Sequence, residues 1–481
     1  MKKFFENIAN KWLLKATTTI ILIAIVIASY IAVNWGVKQI KIEDFDFTTK
    51  KIYSLSDATK DKLKELDTEV TIKLINMQDQ EYILDYLDKY KNVSDKIIIE
   101  RIDDISTRVD LQEKYGINNT TPLIIVKNDQ KEKILTTSDL VTYDYSANKQ
   151  VDATEEAITN GIVEVTLEKK PHIYVLETNT YYDVEQSLGF IATELINESN
   201  EVELLDILTT GNVPEDCDCL IITTLKQDLT EFERDKILEY ANNGGKLLFL
   251  SSQNLLTVET PNLNQVLAQY GVSIERGIIF EQDSKRMLSN TPNIIIADAR
   301  ASYMSNIDMS LKILMQNAGN IKFAETKKLE ELGVTYETIA TTSEKAFIRT
   351  YFNQATNSKT NKDSEEGTYI LGASVEKKIS DEKTSKLIIF SNEAFASTQI
   401  VMLGNSMDYF ANVRNNKDVV LNSVSHLIER DETITIRKAV DAETYIVTEQ
   451  EDVIIKTIIF SVPVLVIMIG IVVWIYRRRK I

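Results

Sequence analysis

The chain has 481 residues, of which 44% are hydrophobic and 26% charged, the balance of a globular protein long enough for two or three cores. Its net charge of −18 excludes a general attraction for nucleic acid or for anionic lipid head groups. Two cysteines, Cys217 and Cys219, and two histidines, His172 and His426, exclude a disulfide framework, because a Cys-Asp-Cys bridge would be strained.

Residues 1–15 carry Lys2, Lys3, Lys11 and Lys15 and read as a cytoplasmic tail. Residues 16–37, "ATTTIILIAIVIASYIAVNWGV", are 22 uncharged residues, enough to span a hydrocarbon core. A cleaved signal peptide is the rival, but its apolar region would be shorter, and "YIAVNWG" is a poor cleavage site. At the other end, residues 456–476 hold "TIIFSVPVLVIMIGIVVWIY", followed by the basic tail 477–481. The basic flanks predict that both termini are cytoplasmic. The body between them would then be extracytoplasmic, with 46 basic against 71 acidic residues, a net of −25. The expected location is the cell membrane, as a two-helix hairpin around an acidic body.

Residues 38–150 read as a first α/β domain. "IKIEDFDFTTKKIYSLS" alternates as an edge strand, and Ser56 caps the helix "SDATKDKLKELD". "EVTIKLIN" and "KIIIERID" are strands. Between them Ile83, Leu84, Leu87 and Tyr90 recur at helical spacing. "RVDLQEKYGI" is a short helix stopped near Gly116, and a hairpin turns at Asn128-Asp129. This order, with Pro122 before the penultimate strand, resembles a thioredoxin-type fold, in which such a proline is usually cis. The domain has no cysteine, so the resemblance implies the architecture without the redox chemistry. Pro122 as a plain strand-start residue is the alternative.

Residues 151–170, "DATEEAITNGIVEVTLEKKP", form one amphipathic helix, read as a linker. Residues 171–436 read as a doubly wound α/β domain, amidotransferase- or Rossmann-like. The buried strands are "HIYVLETN", "DCLIITTL" and "GGKLLFLSS", with helices between. Residues 277–367 loosen into a loop-rich insertion, in which the polar run 354–367 reads as a mobile loop. "TYILGASVEKK", "SKLIIFSNEAFAS" and the helix "DVVLNSVSHLIER" restore order. Residues 437–455 link to the second apolar span.

Four stretches, in this order, resemble the GldG-type auxiliary proteins of ABC transport systems. They are "DFTTKKIYSLSDATKDKLKEL", "DCLIITTLKQDLTEFERDKILEYANNGGKLLFL", "KLIIFSNEAFAS" and "DVVLNSVSHLIERDETITIR". The resemblance covers most of the chain. It implies work beside an ABC permease and a cytoplasmic ABC ATPase, and leaves homo- and hetero-oligomers open.

Catalytic motifs are missing: no phosphate-binding loop, no His-Glu-x-x-His, no Cys-x-x-Cys and no Gly-x-Ser-x-Gly. In amidotransferase-like sheets a nucleophilic cysteine follows a central strand. Here the strands end in Thr223-Thr224 and Ser251-Ser252, while Cys217 and Cys219 precede a strand. His172 starts a strand and His426 sits in mid-helix. Thr223, Thr224, Ser251, Ser252, Asn392 and Glu393 fall at carboxyl ends of strands, where ligands bind in open sheets, but also where residues cap helices and turns. No catalytic, metal or cofactor site is assigned. The expectation is a non-catalytic auxiliary subunit whose body contacts substrate or an envelope partner. The alternatives are a free-standing binding or scaffold protein and a degenerate amidotransferase-like hydrolase.

Overall fold

The structure, a computed structural model, describes residues 54–430 except 79–80, 145–148, 178–183, 252–256, 305–311, 352–356, 393 and 404–405. Among the described residues no helix is long and apolar enough to cross a membrane. The apolar spans 16–37 and 456–476, both tails, the linker 437–455 and most of the expected edge strand 38–55 lie outside them.

The first unit runs α1 (Asp57–Lys64), β1 (Val70–Ile75), α2 (Glu81–Val93), β2 (Ile97–Ile102), α3 (Val109–Tyr115), β3 (Leu123–Lys127) and β4 (Glu132–Leu135). A hairpin of β5 (Val141–Asp144) and β6 (Lys149–Asp152) follows, then α4 (Thr154–Thr166). Its four-stranded sheet has the order β2-β1-β3-β4, with β1 parallel to β2 and antiparallel to β3. Local signals behave as their chemistry dictates. Ser56 Oγ accepts the Thr59 N–H at 3.1 Å, and Gly116 ends α3 at φ +62°, where a side chain would be strained. Among the described residues no peptide bond is cis, so Pro122 is a trans residue ahead of β3.

Helix α4, read from the sequence as a linker, belongs to this unit's core. Ile158, Ile162 and Val165 pack with Leu63, Ile72, Leu87 and Val126 on one face of the sheet. The opposite face is covered by α3 through Leu111. Glu155, in the first turn of α4, is buried. It takes the Ser56 N–H at 2.7 Å, the Thr59 hydroxyl at 2.6 Å and the Tyr86 hydroxyl at 3.1 Å.

The second unit is built on ten strands in the order β13-β14-β17-β19-β20-β10-β9-β7-β8, with β15 also paired to β14. Five are parallel: β8 (Glu201–Leu205), β7 (His172–Leu176), β9 (Cys217–Thr223), β10 (Lys246–Leu250) and β20 (Thr384–Phe390). Their residues alternate between two cores. Ile173, Cys219, Ile221, Leu248 and Ile388 face α5 (Val184–Asn197) and α10 (Asn416–Leu427). Tyr174, Leu220, Leu247, Phe249 and Leu387 face α6 (Ile207–Thr210), α7 (Glu231–Asn242) and α8 (Pro261–Ala268). Strands buried on both faces read as unbroken apolar runs, which is why the sequence located them. A capping box starts α7: Thr230 Oγ1 accepts the Glu233 N–H, and the Glu233 carboxylate accepts the Thr230 N–H. Its end needs two glycines. Gly244 sits at φ +88°, and a Cβ on Gly245 would lie 2.5 Å from the Tyr240 ring and 2.6 Å from its carbonyl oxygen.

The expected loop-rich insertion 277–367 is instead rich in strands, some of which extend the main sheet and some of which form two-stranded pairs of their own. It contains β12 (Ile278–Phe280), β13 (Met287–Leu288), β14 (Thr291–Ala299), β15 (Lys312–Gln316), β16 (Asn320–Phe323), α9 (Thr326–Leu332), β17 (Val334–Thr341) and β18 (Phe347–Arg349). Strand β17 pairs antiparallel with β19 (Ile370–Lys378), which pairs antiparallel with β20. β11 (Val272–Glu275) pairs with β16.

Removing the Glu155 carboxylate strands the donors it satisfies. Glu155→Ala should destabilise the first unit by about 3 kcal/mol, against about 1 kcal/mol for Ser56→Ala, which loses a cap alone. Urea unfolding with matched m-values measures both. Equal costs would show that the carboxylate does not organise the network.

Candidate functional site

The parallel strand order reverses between β7 and β9, the place where open α/β sheets hold ligands at carboxyl ends. Thr223, Thr224, Ser251 and Asn392 all lie on that edge and all are buried. Ser252 and Glu393 lie outside the described residues. The polar atoms at this edge are engaged with one another and with the antiparallel extension. Thr224 Oγ1 donates to Ser251 Oγ at 3.1 Å. Ser391 Oγ donates to the Gly319 carbonyl at 2.6 Å, and Asn392 Nδ2 donates to the Gln316 carbonyl. Asn392 Oδ1 accepts the Phe395 N–H at 2.8 Å. The turn after β15 is thereby stitched across the end of β20. Asn392 thus acts as a turn group, while Thr224 and Ser251 bond to each other.

The segments that follow these strands expose both charged residues, Lys226, Glu231 and Glu259 among them, and apolar ones. Leu208 follows β8, Phe232 follows β9 and Val258 follows β10, and all three are exposed. After β20 come β21 (Ile400–Leu403) and β22 (Ser406–Tyr409), a hairpin with Ile400, Met402 and Met407 exposed. The sequence reading passed over this hairpin. Its signal was there as a long stretch almost without charge.

The cysteines and His172 gather at the opposite, amino edge. Cys217 and Cys219 lie within β9 rather than before a strand, and both are buried free thiols. Burial pushes the Cys217 thiol up to about 12 and raises Cys219 as well, the reverse of what a nucleophile or metal ligand needs. Tyr240 folds back over the Gly-Gly turn, accepts the Lys246 N–H at 3.1 Å and donates to the Cys217 carbonyl at 3.3 Å. His172 joins three strands: Nε2 meets Glu201 of β8, Nδ1 meets Asp216 at 2.7 Å, and its N–H donates to Asp218 at 2.9 Å. Glu201 foremost, with Asp216, raises its pKa. The charged histidine therefore stabilises this edge below ~6.5, and that contribution is lost as pH rises through the raised value. His426 sits in the last turn of α10, stacked on Tyr303 at 4.3 Å. Among the described residues no cluster of His, Cys, Asp and Glu could hold a metal ion.

In the run 354–367, expected as a mobile loop, residues 357–367 are described and are held by a buried ion pair. The Arg349 and Asp363 side chains are 2% and 0% exposed, and both Nε and Nη2 donate to the carboxylate at 2.9 Å. The guanidinium lies 4.6 Å from the Phe280 ring centre. Burial raises the Asp363 carboxyl, but hydrogen bonds from Arg349 and Thr360 outweigh it and hold the pKa at about 2.

Two measurements follow from this chemistry. In the native protein Cys217 and Cys219 should be inert to a thiol reagent at pH 8 and should both react after denaturation. Fast native labelling would restore the redox or nucleophile reading. An unfolded Asp titrates near ~3.9. The Arg349–Asp363 contribution is therefore complete above that value and is lost as pH falls through about 2. Asp363→Asn should cost about 3 kcal/mol at neutral pH and flatten the stability profile between ~4 and ~2. An unchanged profile would place the acid-sensitive group elsewhere.

The family described as "ABC-type uncharacterized transport system" matches residues 170–423, more than half of the chain. A domain of unknown function (DUF7088) matches residues 49–142. Comparison with curated proteins gives no match. Among solved structures the chain is similar to one described as "mmIFT52 N-terminal domain". That structure is 10% identical, and the match covers 53% of this chain and 96% of that one at a TM-score of 0.39, too distant to bear on the fold. By the match across its second unit, the chain belongs to the ABC transport auxiliary family.

Proposed function

We propose that this protein is a non-catalytic, membrane-anchored auxiliary subunit of an ABC-type transport machine, of the GldG type. A thioredoxin-like first unit and the α/β unit would form an extracytoplasmic body between two membrane helices. The observation that carries the reading is the carboxyl edge of the parallel sheet. There Thr224, Ser251 and Asn392 are engaged in internal hydrogen bonds, and exposed apolar residues stand beside exposed charged ones, a mixed surface that suits contact with a macromolecule. The first unit supports the same reading. Its β2-β1-β3-β4 order is that of a thioredoxin-type sheet, and it has no cysteine.

Two apolar spans cannot enclose a solute path, so they would pack against the helices of a permease. The sequence has no phosphate-binding loop, so energy would come from a separate cytoplasmic ATPase.

Full-length protein solubilised in mild detergent from its native membrane should co-purify with a permease and an ABC ATPase. Lys362→Cys, on the exposed surface of the body, should be labelled by an impermeant reagent in intact cells, while Lys2→Cys and Lys480→Cys should be shielded. A chain that purifies alone, and whose deletion leaves ABC-dependent phenotypes unchanged, is a free-standing scaffold.

A further inference from the structure

The two units share no core. Among the described residues every apolar cluster lies wholly within one of them, its buried members running from Leu55 to Val165 in the first and from Ile173 to Leu427 in the second. Between them stands a contact of polar groups. Ser199 Oγ reaches the Asn160 carbonyl of α4 at 3.5 Å, the outer limit of a hydrogen bond.

The groups on each side are bonded within their own unit. Glu198, Ser199 and Asn200, at the end of α5, are buried. The Ser199 N–H donates to the Ile196 carbonyl at 2.9 Å, Asn200 Nδ2 donates to the Leu195 carbonyl at 2.8 Å, and Asn200 Oδ1 accepts from Arg430 at 3.1 Å. On the facing helix Thr159 meets Tyr90 at 2.7 Å, and the Glu155 carboxylate is taken up by Ser56, Thr59 and Tyr86. Parting the units leaves all of these bonds in place and opens no apolar cluster. An attraction does cross the contact. Burial pushes the Lys417 ammonium down, and Glu194 of its own unit, then Glu156 of α4, outweigh it.

The connecting chain changes owner within two residues. Residues 167–171 lie in no helix or strand. Lys131 Nζ donates to the Leu167 carbonyl and, at 3.2 Å, to the Glu168 carbonyl, and Lys170 Nζ pairs with Glu164 at 2.7 Å. These bonds tie the chain to the first unit. The Pro171 carbonyl accepts the Glu201 N–H at 2.9 Å, and His172 begins β7, which ties the next residue to the second. Lys169 is exposed. The two family matches divide at the same place, one ending at residue 142 and the other starting at residue 170.

We propose that the two units hinge about Lys169–Pro171, and that the contact of α4 with the end of α5 is a polar latch that closes and opens. Units joined by a small polar contact move relative to one another, whereas a large apolar one would lock them. Hinges of this kind confine the backbone change to a few residues between bodies that stay rigid. The Glu156–Lys417 attraction favours the closed arrangement, and salt weakens it. A partner that fits one angle better than another would shift the balance by that difference in affinity. The hinge does not depend on membrane anchoring, because all of its parts lie within the two units.

The test uses the full chain in mild detergent, with spin labels on Glu113→Cys of α3 and Asp235→Cys of α7, both exposed. Cys217 and Cys219 are buried and stay unlabelled. A pair inside the second unit, Asp235→Cys with Glu382→Cys, is the rigid control. The distance distribution between units should be at least two-fold wider than that of the control. Lys169→Gly should widen it further and Lys169→Pro should narrow it, with thermal unfolding unmoved in both. Glu156→Gln at low salt should shift it in the same direction as raised salt does in the unaltered chain. A distribution as narrow as the control's shows one rigid body and overturns the proposal. A wide distribution that Lys169→Gly and Lys169→Pro leave alike places the motion elsewhere and overturns it too.

Discussion

The arrangement of the first unit depends on a carboxylate placed where water cannot reach it. Glu155 is 3% exposed, and isolating a charge there would cost several kcal/mol. Three donors offset that cost: the Ser56 N–H, the Thr59 hydroxyl and the Tyr86 hydroxyl. They come from the start of α1 and from α2, so one side chain of α4 fixes the relative position of three helices. Tyr90 closes the network, donating to the Glu155 carbonyl at 3.1 Å and meeting Thr159 at 2.7 Å. This gives a physical reason for the definite Tyr-Ser-Leu-Ser signal just after residues 38–52. The chain that leads out of the first apolar span must arrive at Glu155 with a free N–H and a hydroxyl, and Ser56 and Thr59 supply both.

The same helix reaches the second unit. Ser199 Oγ donates to the Asn160 carbonyl of α4 at 3.5 Å, and Asn200, next along, accepts from Arg430 at 3.1 Å. Lys417, at the start of α10, pairs with Glu194 of α5 at 2.9 Å. Burial pushes its ammonium down, but Glu194 and Glu156 of α4 outweigh it and leave the pKa raised. Ser56 therefore bonds to α4 directly, and Arg430 bonds to Asn200, next to the Ser199 that meets α4.

Much of this was legible in the sequence, for local reasons. "CLII", "LLFL" and "LIIF" alternate between two cores and so contain no polar break, which marks a parallel strand. Ser56, Thr230 and Gly244-Gly245 announce helix ends through their own chemistry. What was not legible depends on distant partners. β12 and β18 are three residues each, too short for a period, and they exist because residues 278–280 pair with 347–349. Arg349 and Asp363 look like ordinary surface charges until Phe280 and Phe347 close around them. Glu155 is one acid among several in "DATEEAITNGIVEVTLEKKP", and only the fold places Tyr86 and Tyr90 against it. Of the strand-end residues, Asn392 is tied to the distant turn at Gln316, which no local pattern announces, and Thr224 and Ser251 bond to each other.

The partition of charge and polarity then constrains how such a body can act. Its cysteines are buried with raised pKa values, and His172 is held between two carboxylates at the amino edge. Both sets of groups are turned to joining strands β7, β8 and β9. At the carboxyl edge Thr224 and Ser251 bond to each other, and exposed apolar residues such as Leu208, Phe232 and Val258 stand among exposed charged ones such as Lys226, Glu231 and Glu259. Such a mixed face stabilises a contact through the apolar area it removes from water, at roughly 25 cal/mol per Å². The free energy such a face can supply is differential affinity for one arrangement of its neighbours over another. The two units meet at the Ser199–Asn160 contact on α4, the same helix whose Glu155 holds Ser56.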